Sequence, residues 1–283
     1  MVQITNPDAP ATKRQLWTIH ELTGEDTRGW QLTKQQASNK IEELELKKIE
    51  HDLPAIPLDD SQPFTEAHVQ IVEGDQRGGK TAYAIKTIFT AYYKDCVKIF
   101  CKEVLGLDVE ILSYKKRKRI AKIKHIGKIK YIRIPDEYKL HSPMRIFSNI
   151  HIFGAPYFYI PSFRHMLYGL RTGKISKGWL LSDESHQGMS ARNGMSAMGK
   201  EFVGQYYQFG KSLLDVIIIT HHARMIDYLA RLVPTKRVHC SYDKVTKRVS
   251  YSLREKGVPG TMEYSFDATE WWGNYYSNEK VNA

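Results

Sequence analysis

The sequence predicts an α/β fold: a central, mostly parallel sheet preceded by a small helical N-terminal module. Three stretches predict it. Gly74-Asp75-Gln76-Arg77-Gly78-Gly79-Lys80-Thr81 is a glycine-rich loop between an alternating, strand-like run, His68-Val69-Gln70-Ile71-Val72, and a helix-like run from Thr81 to Asp95 that holds neither Gly nor Pro. Gly178-Trp179-Leu180-Leu181-Ser182 is an apolar run that ends in Asp183-Glu184. Leu213 to Ile219 is a second apolar run, ending in Thr220-His221-His222. Apolar runs this long suit strands buried on both faces, as in a parallel sheet with helices on either side.

The chain divides into three parts. Residues 1–50 read as the helical module, 51–65 as a linker, and 66–283 as the α/β domain, which ends in a β-hairpin. Residues 1–10 are polar and contain proline, as a mobile arm would. Two helix starts follow with one signature: Thr12-Lys13-Arg14-Gln15 and Thr33-Lys34-Gln35-Gln36 are capping boxes, in which the Thr and Gln side chains satisfy each other's backbone N–H groups. Leu16, Ile19 and Leu22 share one face of the first helix, and Ala37, Ile41 and Leu44 one face of the second. Trp30 is available to pack between them. Pro54, Pro57 and Pro63 with Asp59 and Asp60 mark the linker.

The loop has the form G-x-x-x-x-G-K-T, and each residue type has a physical reason. Glycines let the backbone curl so that successive N–H groups point inward at phosphate oxygens. The expected cradle is Gly74, Asp75, Gln76, Arg77, Gly78, Gly79, Lys80, Thr81 and Ala82. Lys80 is expected to reach the β- and γ-phosphates of ATP, and the Thr81 hydroxyl to ligate Mg²⁺. The following helix presents its positive end to the anion, with Ala84, Ile85, Ile88, Phe89 and Tyr92 on its apolar face.

Next comes a run from Tyr114 to Lys130 with no acidic residue. After Ile120 it alternates Lys with Ile around Gly127, the pattern of a hairpin. The run is either a solvated charged face or a polyanion-binding surface. Arg145 to Ile152 reads as a strand of the core sheet, Tyr157 to Ile160 as a short apolar run and His165 to Leu170 as a helix.

Asp183-Glu184 stands where a phosphate-loop enzyme needs its acids. Asp183 is expected to hold the Mg²⁺ hydration shell at the carboxyl end of its strand, and Glu184 to polarise the attacking water as general base. The strand from Leu213 to Ile219 belongs between the loop strand and the acidic strand. Its tip brings Thr220 or His221 near the γ-phosphate. Arg237 to Tyr251 alternates around Asp243-Lys244 and reads as an edge hairpin. Trp271, Trp272, Tyr275 and Tyr276 either stack on bases or, as such clusters more often do, close a core or a subunit contact.

Lys and Arg number 42 against 31 Asp and Glu, a formal charge of +11, which suits a polyanionic partner: nucleic acid first, an anionic membrane surface second. Cys96, Cys101 and Cys240 lack metal-ligand spacing and read as free thiols in a reducing compartment. No signal peptide or membrane-spanning run is apparent, so a cytoplasmic location is expected.

From Ser182-Asp183-Glu184-Ser185-His186 through Asp215-Val216-Ile217-Ile218-Ile219-Thr220-His221-His222-Ala223-Arg224-Met225-Ile226-Asp227, the chain resembles the zonula occludens toxin-like ATPases and the related FtsK–HerA superfamily. Phe147-Ser148-Asn149-Ile150-His151 fits a further strand of that family. The resemblance spans about residues 66–280. It implies a RecA-like phosphate-loop ATPase that assembles as a ring, usually a hexamer, and pumps double-stranded DNA without regard to sequence, as in viral genome packaging. A neighbour's arginine then completes each site; Arg192, Arg224 and Arg231 are the candidates, with Arg224 favoured. His221 stands where the family usually has Gln. The helical module resembles short modules appended to other microbial domains and reads as a docking appendage, for a capsid or portal-vertex protein if the chain is a packaging motor. A nucleotide-dependent scaffold with little turnover and a membrane-surface assembly protein are the competing functions.

Overall fold

The computed structural model describes residues 6–27, 29–52, 68–183, 204–205, 209, 212–226, 231–232 and 234–276. They form a mixed α/β fold around a large, mostly parallel sheet. Two helices come first, α1 (Lys13–Thr23) and α2 (Lys34–Asp52). Both capping boxes form: the Gln15 and Gln36 N–H groups donate to the hydroxyls of Thr12 and Thr33, and the glutamine amides answer. Ile19 and Ala37 are fully buried between the helices. Helix α2 runs to Asp52, two residues into the stretch expected to be linker.

Strand β1 (Val69–Glu73) leads through the loop into α3 (Lys80–Leu105). Gly106, at φ 65, ends this helix, and the Leu107 N–H returns to the Cys101 carbonyl, a Schellman closure. The C-terminal half of α3 carries a small antiparallel sheet of β2 (Glu110–Lys115), β3 (Ile120–His125) and β4 (Lys128–Arg133). Val97, Phe100 and Cys101 of the helix pack on Ala121, Ile123 and Ile134 there. The hairpin expected after Ile120 is β3–β4. Its turn, Ile126-Gly127, has positive φ at both positions (44 and 72), as a type I′ turn requires.

The main sheet continues with β5 (Arg145–Ser148), β7 (Phe158–Tyr159), β8 (Gly178–Ser182) and β9 (Leu214–Ile219), with β6 (His151–Ile152) set apart and helix α4 (Phe163–Arg171) between β7 and β8. It closes with β10 (Lys236–Asp243), β11 (Arg248–Glu255) and β12 (Met262–Asp267); β13 (Tyr275–Tyr276) pairs with β6. The order across the sheet is β12-β11-β10-β1-β9-β8-β5-β7. From β10 to β7 every pairing is parallel. The apolar strand β9 lies between the loop strand β1 and the acidic strand β8, as its residue pattern predicts, and this order is RecA-like.

One face of the sheet packs on α3 through Ile85, Ile88 and Phe89, the other on α4 through Met166, Leu167 and Leu170. Burying one such side chain completely is worth about 1.5–3 kcal/mol. Arg164 on α4 pairs with Glu42 and Glu45 on α2, which holds the helical module against this second layer.

Two expectations change. The hairpin of Arg237 to Tyr251 does not form the edge: β10 pairs in parallel with β1 inside the sheet, and β12 is the edge strand. Alternation along β10 signals one core-facing side, but nothing local shows that a strand lies on each flank. The strand expected over Arg145 to Ile152 breaks after Ser148, whose hydroxyl accepts the Ile150 N–H and donates to the Ile150 carbonyl. Within the basic run Lys115, Lys116, Arg117 and Lys118 are exposed, whereas Arg119, at φ 50, donates to the carbonyls of Ile134, Pro135 and Tyr138.

Candidate nucleotide site

The loop leaves β1 at the carboxyl edge of the sheet, where open α/β sheets bind ligands. Two glycines there admit no other residue. Gly74 sits at φ 145, and a Cβ on it would come within 2.2 Å of the Cys240 carbonyl oxygen; a Cβ on Gly79, at φ 81, would come within 2.3 Å of a Val249 methyl. The loop is therefore pressed onto β10 and β11. The Gly78 N–H closes a turn onto the Asp75 carbonyl at 2.9 Å, and Arg77 adopts φ 60. These left-handed residues turn the chain back so that α3 begins at Lys80.

Lys80 is 6% exposed. Its ammonium donates to the carbonyls of Gly74 (3.0 Å) and Asp75 (2.6 Å), folding back over the loop. Beneath it lies Cys240, whose thiol burial pushes up to about 12, against the opposing pull of the Lys80 charge. The thiol stays neutral at physiological pH and adds no negative charge beneath the loop.

Thr81 and Asp183 meet: the threonine hydroxyl donates to Asp183 Oδ2 at 3.2 Å. Both are hard oxygen donors, and a Mg²⁺ ion bound through one or two protein oxygens plus phosphate and water needs no more from the chain. Asp183 is positioned by a residue that the motif reading left without a role. Asn149 receives the Asp183 N–H at 2.8 Å and donates to the Asp183 carbonyl at 2.9 Å. The break after β5 is what turns Asn149 toward the tip of β8. The only sequence signal for it was its place in Phe147 to His151.

At the tip of β9 the His221 carbonyl accepts the Gly74 N–H at 3.3 Å, so this residue adjoins the loop. Thr220 is buried, and its hydroxyl donates to the His222 carbonyl, which commits it to the turn. Glu73, the last residue of β1, receives the Ala223 N–H at 2.7 Å and fixes the start of the next turn. Arg224 is exposed on that turn. Arg231 is half-buried, and its carbonyl accepts from Arg237. Glu184 and Arg192 lie outside the described residues. Among the described residues, no helix is long and apolar enough to cross a membrane.

The aromatic tail also reaches this site. Trp271, Trp272 and Tyr275 pack on the core beside α3, as a core-closing cluster would. Trp272 and Tyr275 in addition line a cleft shared with Gly79, Lys80 and Thr81.

No protein-family model matches the sequence, and a search of curated proteins returns no match. Among solved structures, the chain is similar to the N-terminal domain of zonular occludens toxin from Neisseria meningitidis, with 12% identity over 75% of this chain and 100% of that one, at a TM-score of 0.47. It is also similar to a genome-packaging NTPase of Sulfolobus turreted icosahedral virus 2 in complex with ATP-γ-S, with 9% identity over 70% and 96% of the two chains and a TM-score of 0.38. A KaiC-like protein from Pyrococcus horikoshii is 10% identical over 72% and 86%, with a TM-score of 0.36.

Proposed function

We propose that the chain hydrolyses ATP and couples hydrolysis to the movement of double-stranded DNA, as a viral or mobile-element genome-packaging motor does. One observation carries this reading: the 3.2 Å hydrogen bond between Thr81 and Asp183, which joins two motifs 102 residues apart at one edge of the sheet. The loop N–H groups and Lys80 bind the phosphates. Thr81 and Asp183 would hold Mg²⁺, which would supply positive charge against the phosphates. Glu184 takes a proton from the attacking water, and His221 contacts the γ-phosphate.

The site faces a subunit boundary in a ring, with Arg224 supplied by the neighbour. Arg224→Ala protein mixed into wild type is then expected to depress ATPase activity by more than its mole fraction. A strictly proportional loss would confine the arginine to its own subunit.

DNA is met by the outward face of β2–β3–β4, beside the exposed Lys115, Lys116, Arg117 and Lys118 of the same basic run. Lys122 stands across from Tyr131, and Ile120 across from Arg133; Lys124, across from Ile129, completes the cationic set. Tyr131 is 69% exposed. The face carries no nucleotide-binding residue. Changing Lys122, Lys124 and Arg133 together to Ser is expected to flatten the salt dependence of duplex binding by roughly two to three units, at about 0.9 per phosphate contact. The loss should be equal on unrelated sequences, because backbone contacts carry no sequence information. DNA-stimulated turnover should fall while DNA-independent turnover persists. Retention of both the salt slope and the stimulation would reduce this face to solvated charge. Wild-type turnover measured with and without duplex DNA tests the function itself, and turnover indifferent to DNA would favour a scaffold.

A second reading has its own observation. Ile126, at the hairpin tip, is 86% exposed at φ 44 between lysine-bearing strands. A β-branched residue there is strained and solvated without benefit to folding. An apolar tip among cations also suits an anionic bilayer surface. Sedimentation with phosphatidylserine vesicles, set against DNA retention at the same salt, separates the two.

A further inference from the structure

The cleft beside the phosphate loop has two chemically different ends. Gly79, Lys80 and Thr81 line one, and Tyr242, Val249 and Trp272 the other. The second end is built by β10, β11 and the turn of Trp272–Asn274, from a part of the chain remote from the loop in sequence. The two ends touch, since Val249 packs against Gly79. The turn is anchored: Asn274 exchanges hydrogen bonds with Phe153 at 2.8 Å in both directions, and β13 follows directly, paired to β6. Trp272 and Tyr242 meet edge to face, with ring centres 6.2 Å apart and planes at 68°.

We propose that this aromatic wall is the nucleobase subsite of the bound nucleotide, with the Trp272 indole as its stacking surface and Tyr242 as the ring that fixes the indole's orientation. The proposal rests on the reading of Gly74 to Thr81 as a phosphate cradle. A nucleoside triphosphate is charged at one end and flat and apolar at the other. The loop satisfies the charged end, and the base must leave water onto a surface that continues from the loop. Trp272 packs part of its indole on the core beside α3 and, half-buried, also lines the cleft. The cleft holds only about 30 Å³, room for little more than a water molecule, so the base lies along its wall and is not engulfed. Stacking engages the π-face that every base has. The wall therefore discriminates nucleotide from bare polyphosphate strongly, and one base from another weakly.

The test uses the full chain, Mg²⁺ and two probes, ATP and inorganic tripolyphosphate, measured by calorimetry. Trp272→Ala is expected to weaken ATP binding about tenfold or more, the scale of a lost base–aromatic stack, and to leave tripolyphosphate binding within about twofold. Trp272→Phe, which keeps a π-face, should restore most of the ATP affinity. Wild-type ATP affinity in Trp272→Ala overturns the proposal. So does an equal loss for both probes, which would make the ring a prop for the loop. Lys80→Ala reports separately on the loop: loss of both probes supports the reading beneath the proposal, and unchanged binding of both overturns the loop reading and the subsite with it.

Discussion

Glu184→Gln is expected to leave ATP bound and to slow its hydrolysis by a hundredfold or more, since general-base removal typically costs 10²–10⁴ in rate. The substitution keeps the shape of the side chain and removes its ability to accept a proton. Its neighbour gives the reason for expecting a specific effect. Asp183 is clamped at the tip of β8 by two hydrogen bonds exchanged with the Asn149 amide, one donated and one accepted, and a third received from Thr81. The chain therefore leaves the sheet from a fixed point beside Thr81, with Glu184 as the very next residue. The measurement is single-turnover hydrolysis beside equilibrium ATP binding. Near-normal turnover with normal binding would take Glu184 out of the mechanism and leave the scaffold reading in possession.

Lys80→Ala should act one step earlier, at binding. The ammonium donates to the carbonyls of Gly74 and Asp75 and is 6% exposed, so it braces the loop from within. It is also a full positive charge at the first residue of α3, placed to turn onto β- and γ-phosphates. Charge-assisted hydrogen bonds of this kind contribute about 1.5–3 kcal/mol each, so two to the phosphates are worth roughly a hundredfold or more in affinity. Titration of ATP into the variant checks this, with thermal unfolding alongside to register the lost brace. An ATP affinity equal to that of wild type would remove Lys80 from the site.

The difference between these two residues and Trp272 marks how far local reading reaches. A phosphate loop is legible because all its requirements lie within one stretch: glycines for the curl, a cation at its end, a helix to follow. The same holds for the capping boxes at Thr12 and Thr33, for the hairpin turn at Ile126-Gly127, and for β9, whose unbroken apolar run demands burial on both faces. Asp183 was legible for its chemistry, an acid ending a buried strand.

What holds Asp183 was not legible. Asn149 acts through a break in a strand, and that break depends on a Ser148 hydroxyl bonding locally to Ile150 instead of extending the ladder. The basic run was legible only as charge. Its charge was plain, but whether an arginine faces water or ties down three carbonyls, as Arg119 does, depends on where residues 134–138 fold back.

By itself, then, the sequence determined local features of this protein: the glycine-rich loop, the acid that ends β8, the strands and their order around β9, and a cationic excess. The tertiary structure alone decided which distant groups share a site. It placed β10 inside the sheet under Gly74, Asn149 against Asp183, and the C-terminal indole beside Lys80. The physical reason is that periodicity and turn chemistry act over a few residues, whereas pairing across a sheet is chosen by the burial of whole faces, to which residues far apart in the chain contribute together.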